Sequence, residues 1–343
     1  MKNKMSVAIV GCGDIARFTA IGFILNSGIR TIACCDKNID RAKSFSRWFR
    51  IPQYFCDYSE MLKKAKPDVV YLAVPHFLHT PMIKEAIADG RHVFCEKPVT
   101  TNMDDAIEVC RLAGKTGLKL GINYQYRYDS GCYAMAQAAR SGEMGEILYG
   151  RCNVPWHRTE KYFSESPWHK CLETSGGGTL LTQGSHALDV LLWTCGKAPL
   201  RATGMTARKC FKDVEVEDLA MAMIELENGI LIQAASSMAA ASEQKETIDV
   251  YGSRATAIYS GFSSPKVRFI GLKPPHYQVP AKGLHALFRS IEGFRAWVIE
   301  DRPFLTPASQ SLPVLAAIEA VYRSAATGKT VETDKRFLEI ING

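Results

Sequence analysis

Three groups of residues have types and spacings that could do chemistry. The first is Arg91-His-Val-Phe-Cys-Glu96-Lys97-Pro98, where an ionisable pair emerges directly from a short apolar run. A lysine at the point where a strand gives way to proline is held by the sheet, so its direction is fixed by its neighbours. Alone, such a pair is most simply a solvated strand-end salt bridge; beside the features below, Lys97 is the candidate for stabilising negative charge on a reacting oxygen, with Glu96 orienting it. The second group is Gly176-Gly-Gly178 followed by Thr182, Gln183 and His186. The glycines would let backbone approach a ligand closely, and residues 182 and 186 share a face if a helix has begun by then. A histidine titrates near neutrality and can act as general base, although a lone one is more often a satisfied core residue. Asp189 reads as a structural cap or a hydrogen bond within the helix. The third group is Gly11-Cys12-Gly13-Asp14-Ile15-Ala16 with Asp36.

The elements around these groups tell what they hold. Met5–Val10 is a continuous apolar run that reads as a buried strand, and it feeds the glycine turn and then an apolar-periodic helix. This is the context a dinucleotide fingerprint requires: Gly11 for the tight turn, Gly13 for close approach of a pyrophosphate, Ala16 for helix–strand packing. Asp36 ends the next strand, where a carboxylate would accept from ribose hydroxyls and argue for NAD; Lys37 and Arg41 beside it leave room for NADP. Strands and helices alternate to Asn123, which predicts a parallel sheet with helices on both faces and ligands at the carboxyl ends of its strands. The loops from Gly11, from Val74-Pro75 to Thr80, and from Glu96 to Thr100 would face the cofactor, with His79 along it. His76 and His79 have a spacing seen in metal sites, but no third ligand accompanies them, and no metal is expected.

Beyond residue 123 strand-like runs dominate: 147–154, 200–208, 219–226, 230–236 and 247–251, joined by turns such as Glu227-Asn-Gly229. The division expected is therefore a dinucleotide domain, 1–123, and a second α+β domain, 124–343, whose sheet would be covered by helices over 183–195 and 284–299. Trp156, Arg158, Tyr162 and Trp168, interleaved with polar residues, suit a lining for a polyhydroxylated ligand, and Tyr124 and Arg127 stand near the domain junction as further substrate-site candidates.

The bulk properties narrow the class. The chain has 343 residues, enough for two cores, with 47% hydrophobic and 22% charged residues, as in ordinary globular proteins. No apolar run is long enough to cross a bilayer and no signal peptide is evident. The eleven cysteines are scattered without C-x-x-C spacing, which suits buried thiols in a cytoplasmic protein. The net charge of +7 is spread along the chain, so nucleic acid is not an expected partner.

With these residues the chain resembles the Gfo/Idh/MocA family, the glucose-fructose oxidoreductase and inositol dehydrogenase group. The likeness runs over essentially the whole length: the Gly11–Ala16 turn, Asp36, the Pro75–His79 loop, Glu96-Lys97-Pro98, the Arg127 region, Gly176 to Asp189, and Tyr322-Arg-Ser324. It implies a Rossmann domain followed by an α+β domain with an open-faced, mainly antiparallel sheet, through which homodimers or homotetramers form. It places the family's catalytic lysine on Lys97 and its histidine on His186. The position four before the histidine is often Asp or Asn in the family and is Thr182 here, which sets the chain apart from a strict inositol dehydrogenase. Trp156-x-Arg158 and the Tyr162–Trp168 stretch with Thr182-Gln183 look more like members that act on sugars or sugar nucleotides. The implied function is NAD(P)-dependent hydride transfer to or from a secondary alcohol of a sugar, sugar nucleotide or cyclitol. Two alternatives are a redox-neutral glycosidase or lyase of the same family, which returns the hydride, and a non-enzymatic dinucleotide-binding regulator, against which the presence of both Lys97 and His186 argues.

Overall fold

The computed structural model describes residues 4–261 and 266–342. They form two compact units: one comprises residues to Thr100, Asp105–Gln125 and Pro280–Gln310, the other Thr101–Asp104, Tyr126–Val279 and residues from Ser311 on.

The first unit is built on six parallel strands, β1 (Met5–Val10), β2 (Ile29–Cys35), β3 (Gln53–Phe55), β4 (Val69–Leu72), β5 (His92–Cys95) and β6 (Leu120–Ile122), in the order β3-β2-β1-β4-β5-β6. All residues of β1 and β4 are buried, which is why they read as unbroken apolar runs. Helices Asp14–Leu25, Ile39–Phe49, Tyr58–Ala65, His79–Ala88 and Met103–Thr116 make the crossovers. Strand order reverses direction at β1, between β2 and β4, so a ligand crevice is expected at the carboxyl ends of β1 and β4.

Helix Ala286–Glu300 belongs to this unit, not over the second sheet as its position in the chain suggests. Phe294 stacks on Phe94 of β5 with ring centroids 4.7 Å apart, and Ser290 Oγ donates to Asn123 Oδ1 at 3.0 Å. Gly22 is the complementary notch: a Cβ there would lie 2.5 Å from Ile291 Cδ1. The apolar stripe at 284–298 requires cover but does not specify which surface supplies it, and the aromatic cluster of Phe94, Phe294 and Phe304 decides the matter.

The second unit holds an eight-stranded sheet: β7 (Ile147–Pro155), β8 (Pro199–Ala207), β9 (Leu219–Leu226), β10 (Leu231–Ser237), β11 (Thr247–Gly252), β12 (Thr256–Ser260), β13 (Lys266–Ile270) and β14 (Val331–Glu332), in the order β13-β12-β11-β7-β10-β9-β8-β14. Only the central β10–β7 pair is parallel. Three of the eight, β12, β13 and β14, lie outside the five expected runs: β12 is a short alternating pentapeptide, β13 a half-exposed edge and β14 two residues long. One face is covered by helices Ser185–Cys195 and Leu312–Thr327, which approach where β7 and β8 carry glycine: a Cβ on Gly150 would lie 2.6 Å from Leu191 Cδ1, and one on Gly204 2.6 Å from Val321 Cγ1.

Candidate active site

The cofactor end of the first unit is built by the turn after β1. Gly11 has φ +83°, and a Cβ on it would sit 2.1 Å from the carbonyl oxygen of Ala73, so the position takes only glycine. Gly13 is different: a Cβ there meets nothing within 4 Å, and as N-cap of helix Asp14–Leu25 it offers no side-chain cap. The N–H groups of that helix's first turn are thus left for an anion, as a pyrophosphate requires. Cys12 turns its thiol inward, while its N–H donates to Asp36 Oδ2 at 3.0 Å. Asn38 N donates to Asp36 Oδ1 at 2.9 Å, and Arg41 Nη1 lies 3.8 Å from Oδ2. Each carboxylate oxygen keeps a lone pair for a ribose hydroxyl. Asp14 and Ile15 project to solvent, Asp14 pairing with Arg17 at 3.2 Å, and Lys37 is exposed next to Asp36. These residues fit a dinucleotide.

The His79 ring, expected along the cofactor, is engaged by the chain itself. It is wholly buried, with Nδ1 2.8 Å from Pro98 O and Nε2 3.1 Å from Val74 O, so it brackets the Val74-Pro75 loop to the Lys97-Pro98 turn, which contains a cis peptide bond. Burial lowers its pKa to about 4, reinforced by Lys97 and opposed by the two carbonyls.

Glu96 and Lys97 leave the end of β5 as expected, and Glu96 is more firmly held than a strand-end ion pair would be. Its Oε1 accepts from Tyr71 Oη at 2.5 Å and from Asn123 Nδ2 at 2.7 Å. Tyr71 Oη also lies 2.9 Å from Thr19 Oγ1. Burial pushes the Glu96 carboxyl above its ordinary range, and Tyr71, Asn123 and the charge of Lys97 act against that shift. Tyr71 and Asn123 are supporting residues that sequence reasoning missed; a tyrosine inside the apolar run of β4 was the available signal, since its hydroxyl needs a partner when buried.

In the second unit His186 lies near the start of helix Ser185–Cys195, preceded without a break by a π-helical turn, Leu180–Gly184. Such turns recur at functional sites. Tyr126 stacks on the His186 ring, centroids 4.7 Å apart and 16° from parallel, and its hydroxyl lies 3.3 Å from Glu246 Oε1. Trp156 Nε1 donates to the other oxygen of Glu246, also at 3.3 Å, so a buried carboxylate joins the expected lining residue to the ring beneath the histidine. Thr182 turns its hydroxyl back onto Gly178 O at 2.7 Å. Arg158 lies over Trp156 and Tyr162, at 5.0 and 5.7 Å to the ring centroids, and pairs with Glu243 at 3.2 Å. Tyr162 Oη reaches His169 Nδ1 at 3.1 Å and interacts with Thr182 and Gln183; burial pushes its pKa up to about 12. Tyr162, Thr182, Gln183 and His169 therefore form one polar cluster, of which His169 was not foreseen.

Four expectations change. Arg127 is buried and forms a bidentate pair with Asp189, at 2.8 and 2.6 Å, so neither is a substrate contact nor a simple helix cap. Tyr124, expected near the substrate, belongs to the first unit and is buried, only 2% exposed. The glycine triplet makes room for the chain itself: a Cβ on Gly176, Gly177 or Gly178 would lie 2.9 Å from Thr101 Cβ, 2.4 Å from Tyr322 Oη and 1.9 Å from Glu217 O, respectively. Those partners lie far off in sequence, and nothing local separates the buried Glu217 from the exposed Glu215 two residues before it.

Residues 5–124 match the model of an oxidoreductase family with an NAD-binding Rossmann fold, and residues 133–258 match the GFO/IDH/MocA C-terminal domain. The D-glucoside 3-dehydrogenase of Escherichia coli is 26% identical over 96% of this chain and 98% of its own length. The D-apiose dehydrogenase of Paraburkholderia graminis is 24% identical over 96% of this chain and 90% of its own. The WlbA dehydrogenase from Bordetella pertussis, solved in complex with NADH and UDP-GlcNAcA, has the same fold, with a TM-score of 0.87 at 22% identity over 97% of this chain and 99% of that one.

Proposed function

The chain belongs to the GFO/IDH/MocA family of NAD-binding oxidoreductases, and from that membership we propose that it oxidises or reduces a secondary alcohol of a sugar, with D-glucosides the first class to test. The observation that carries the reading is the end of β5: a carboxylate fixed by Tyr71 and Asn123, with Lys97 next to it, in the sheet whose first turn leaves helix Asp14–Leu25 uncapped for a pyrophosphate. The full-length likeness to a glucoside dehydrogenase supports the substrate class.

NAD, when bound, supplies the acceptor for the hydride. The turn Gly11–Gly13 would hold its pyrophosphate and Asp36 its ribose hydroxyls. Lys97 donates a hydrogen bond to the carbinol oxygen and stabilises the negative charge that grows there. His186 takes the hydroxyl proton, and returns it in the reductive direction. Glu96 keeps Lys97 aimed. Trp156, Arg158, Tyr162 and Gln183 line the sugar subsite, with Thr182 serving the turn. Dimers or tetramers form through the outer face of the eight-stranded sheet, and the absence of any disulfide among eleven free thiols supports a cytoplasmic location.

Incubation with NAD or NADP and a panel of glucosides, aldoses and inositols, followed by nicotinamide absorbance, tests the reading. Net accumulation of NADH is expected; product formation without it would favour the redox-neutral alternative. Lys97→Met should bind NADH as wild type does and lose about two to four orders of magnitude in kcat. Normal turnover by that variant would end the mechanism.

A further inference from the structure

The first four N–H groups at a helix start have no partner inside the helix. In the run that carries His186 the first internal bond is Thr182 N to Gly178 O, at 2.9 Å, so the orphan donors are those of residues 178 to 181. All four are satisfied by two residues. Gly178 N donates to Glu217 Oε2 at 2.7 Å, Leu180 N to Glu217 Oε1 at 3.0 Å and Thr179 N to the Glu217 main-chain oxygen at 3.0 Å. Leu181 N donates to Tyr322 Oη at 3.2 Å, and Tyr322 Oη donates in turn to Glu217 Oε1 at 2.8 Å.

Capping alone does not require this arrangement. A serine or asparagine N-cap satisfies one such donor without burying a charge, and helix starts are commonly completed by neutral groups or water. Here a buried carboxylate just before β9 and a tyrosine from helix Leu312–Thr327 grip the turn from two elements, and the glycines at 177 and 178 let both groups approach closer than any side chain would allow. The gripped residues lead into the π-helical turn and include its first two, Leu180 and Leu181; the wider winding of that turn sets the rotation with which the following helix begins. Thr182 and Gln183 are inside that turn and His186 one residue into the helix.

We propose that Glu217 and Tyr322 are positioning residues for His186, fixing the rotation of the π-helical turn so that the imidazole is aimed for proton transfer. The inference rests on the reading of His186 as the general base. An interaction that acts only through another residue loses its effect once that residue is gone, because groups working as a unit are non-additive.

The test is a double-mutant cycle with methyl β-D-glucopyranoside and NAD. Tyr322→Phe should lower kcat about tenfold or more with KM for NAD and NADH affinity unchanged, and in the His186→Ala background the same substitution should cost less than about twofold. Glu217→Gln, which keeps the volume but loses one acceptor, runs the same cycle should the first variant fold poorly. An equal loss in both backgrounds would make the pair structural only and overturn the inference while leaving the proposed function intact. Full activity of His186→Ala, or a wild-type chain inert on every sugar, would remove the functional reading and the inference with it.

Discussion

Asp36 holds two backbone groups in place before any cofactor arrives, Cys12 N on one oxygen and Asn38 N on the other. Its spare lone pairs make it a selector: ribose hydroxyls can donate to them, a 2′-phosphate cannot. Lys37 and Arg41 stand beside it with the opposite preference, so the choice between NAD and NADP turns on one charge. Asp36→Ser should reduce the NAD-over-NADP ratio of kcat/KM by about 10- to 100-fold, the worth of a lost hydrogen bond to a charged group. An unchanged ratio would mean that Asp36 serves the turn alone. Arg127 teaches the opposite lesson at the same scale. Its type suggested a ligand contact, but a guanidinium 4% exposed and paired to a carboxylate 1% exposed is committed to the fold. Residue type shows what a side chain can do; a buried bidentate partner takes Arg127 out of use.

At the scale of elements, His79 joins the loop after β4 to the turn after β5 and gives that join a pH dependence. In the unfolded chain a histidine titrates near 6.5, and in the fold burial lowers His79 to about 4. Between those values the unfolded chain binds the extra proton, so the join stabilises the fold fully above about pH 6.5 and loses strength as pH falls towards 4, by about 3 kcal/mol in all. His79→Gln should flatten this part of the curve: the fall in Tm from pH 7 to pH 5 should be several degrees smaller in the variant. An identical fall would show that His79 titrates alike in the folded and the unfolded chain. The strands of the first unit and its glycine turn were legible in the sequence because unbroken apolar runs and a positive φ leave local signatures. The bracket was not, because the groups facing both ring nitrogens are main-chain carbonyls, which every sequence supplies everywhere. For the same reason Glu217 and Tyr322 were invisible as partners: the triplet Gly176–Gly178 announces a close approach without stating what approaches. The stripe on helix Ala286–Glu300 was likewise readable as buried, while its partners Phe94, Gly22 and Asn123 were fixed only by tertiary packing.

At the scale of the whole molecule, the eight-stranded sheet has one face covered by helices Ser185–Cys195 and Leu312–Thr327 and, among the described residues, large apolar side chains exposed on the other. Met205, Met221 and Met223 are 78%, 58% and 49% exposed, and they are neighbours, since Met205 is paired with Met221 and β8 and β9 run side by side. Leu231 on β10, directly opposite Glu225, and Tyr149 on β7, opposite Leu231, extend the patch. Single exposed apolar residues need no explanation, but a contiguous patch of them on a flat sheet marks an association surface. The charges on these strands fit that use: Arg201 pairs with Glu225 at 2.7 Å and Arg151 with Asp249 at 2.5 Å, neutralised in place and able to enter an interface without bare charge. A two-fold dimer would set the patch against itself, and methionine side chains adapt to such self-packing. The wild-type chain is therefore expected to sediment as a dimer or tetramer, and Met221→Glu with Met223→Glu as a monomer, because like carboxylates would then meet across the two-fold axis. The glutamates point to solvent in the single chain, so the fold itself should hold and NADH affinity, which belongs to the other unit, should be unchanged. A wild-type chain that sediments as a monomer at all concentrations would remove the assembly and leave the methionine face to another partner.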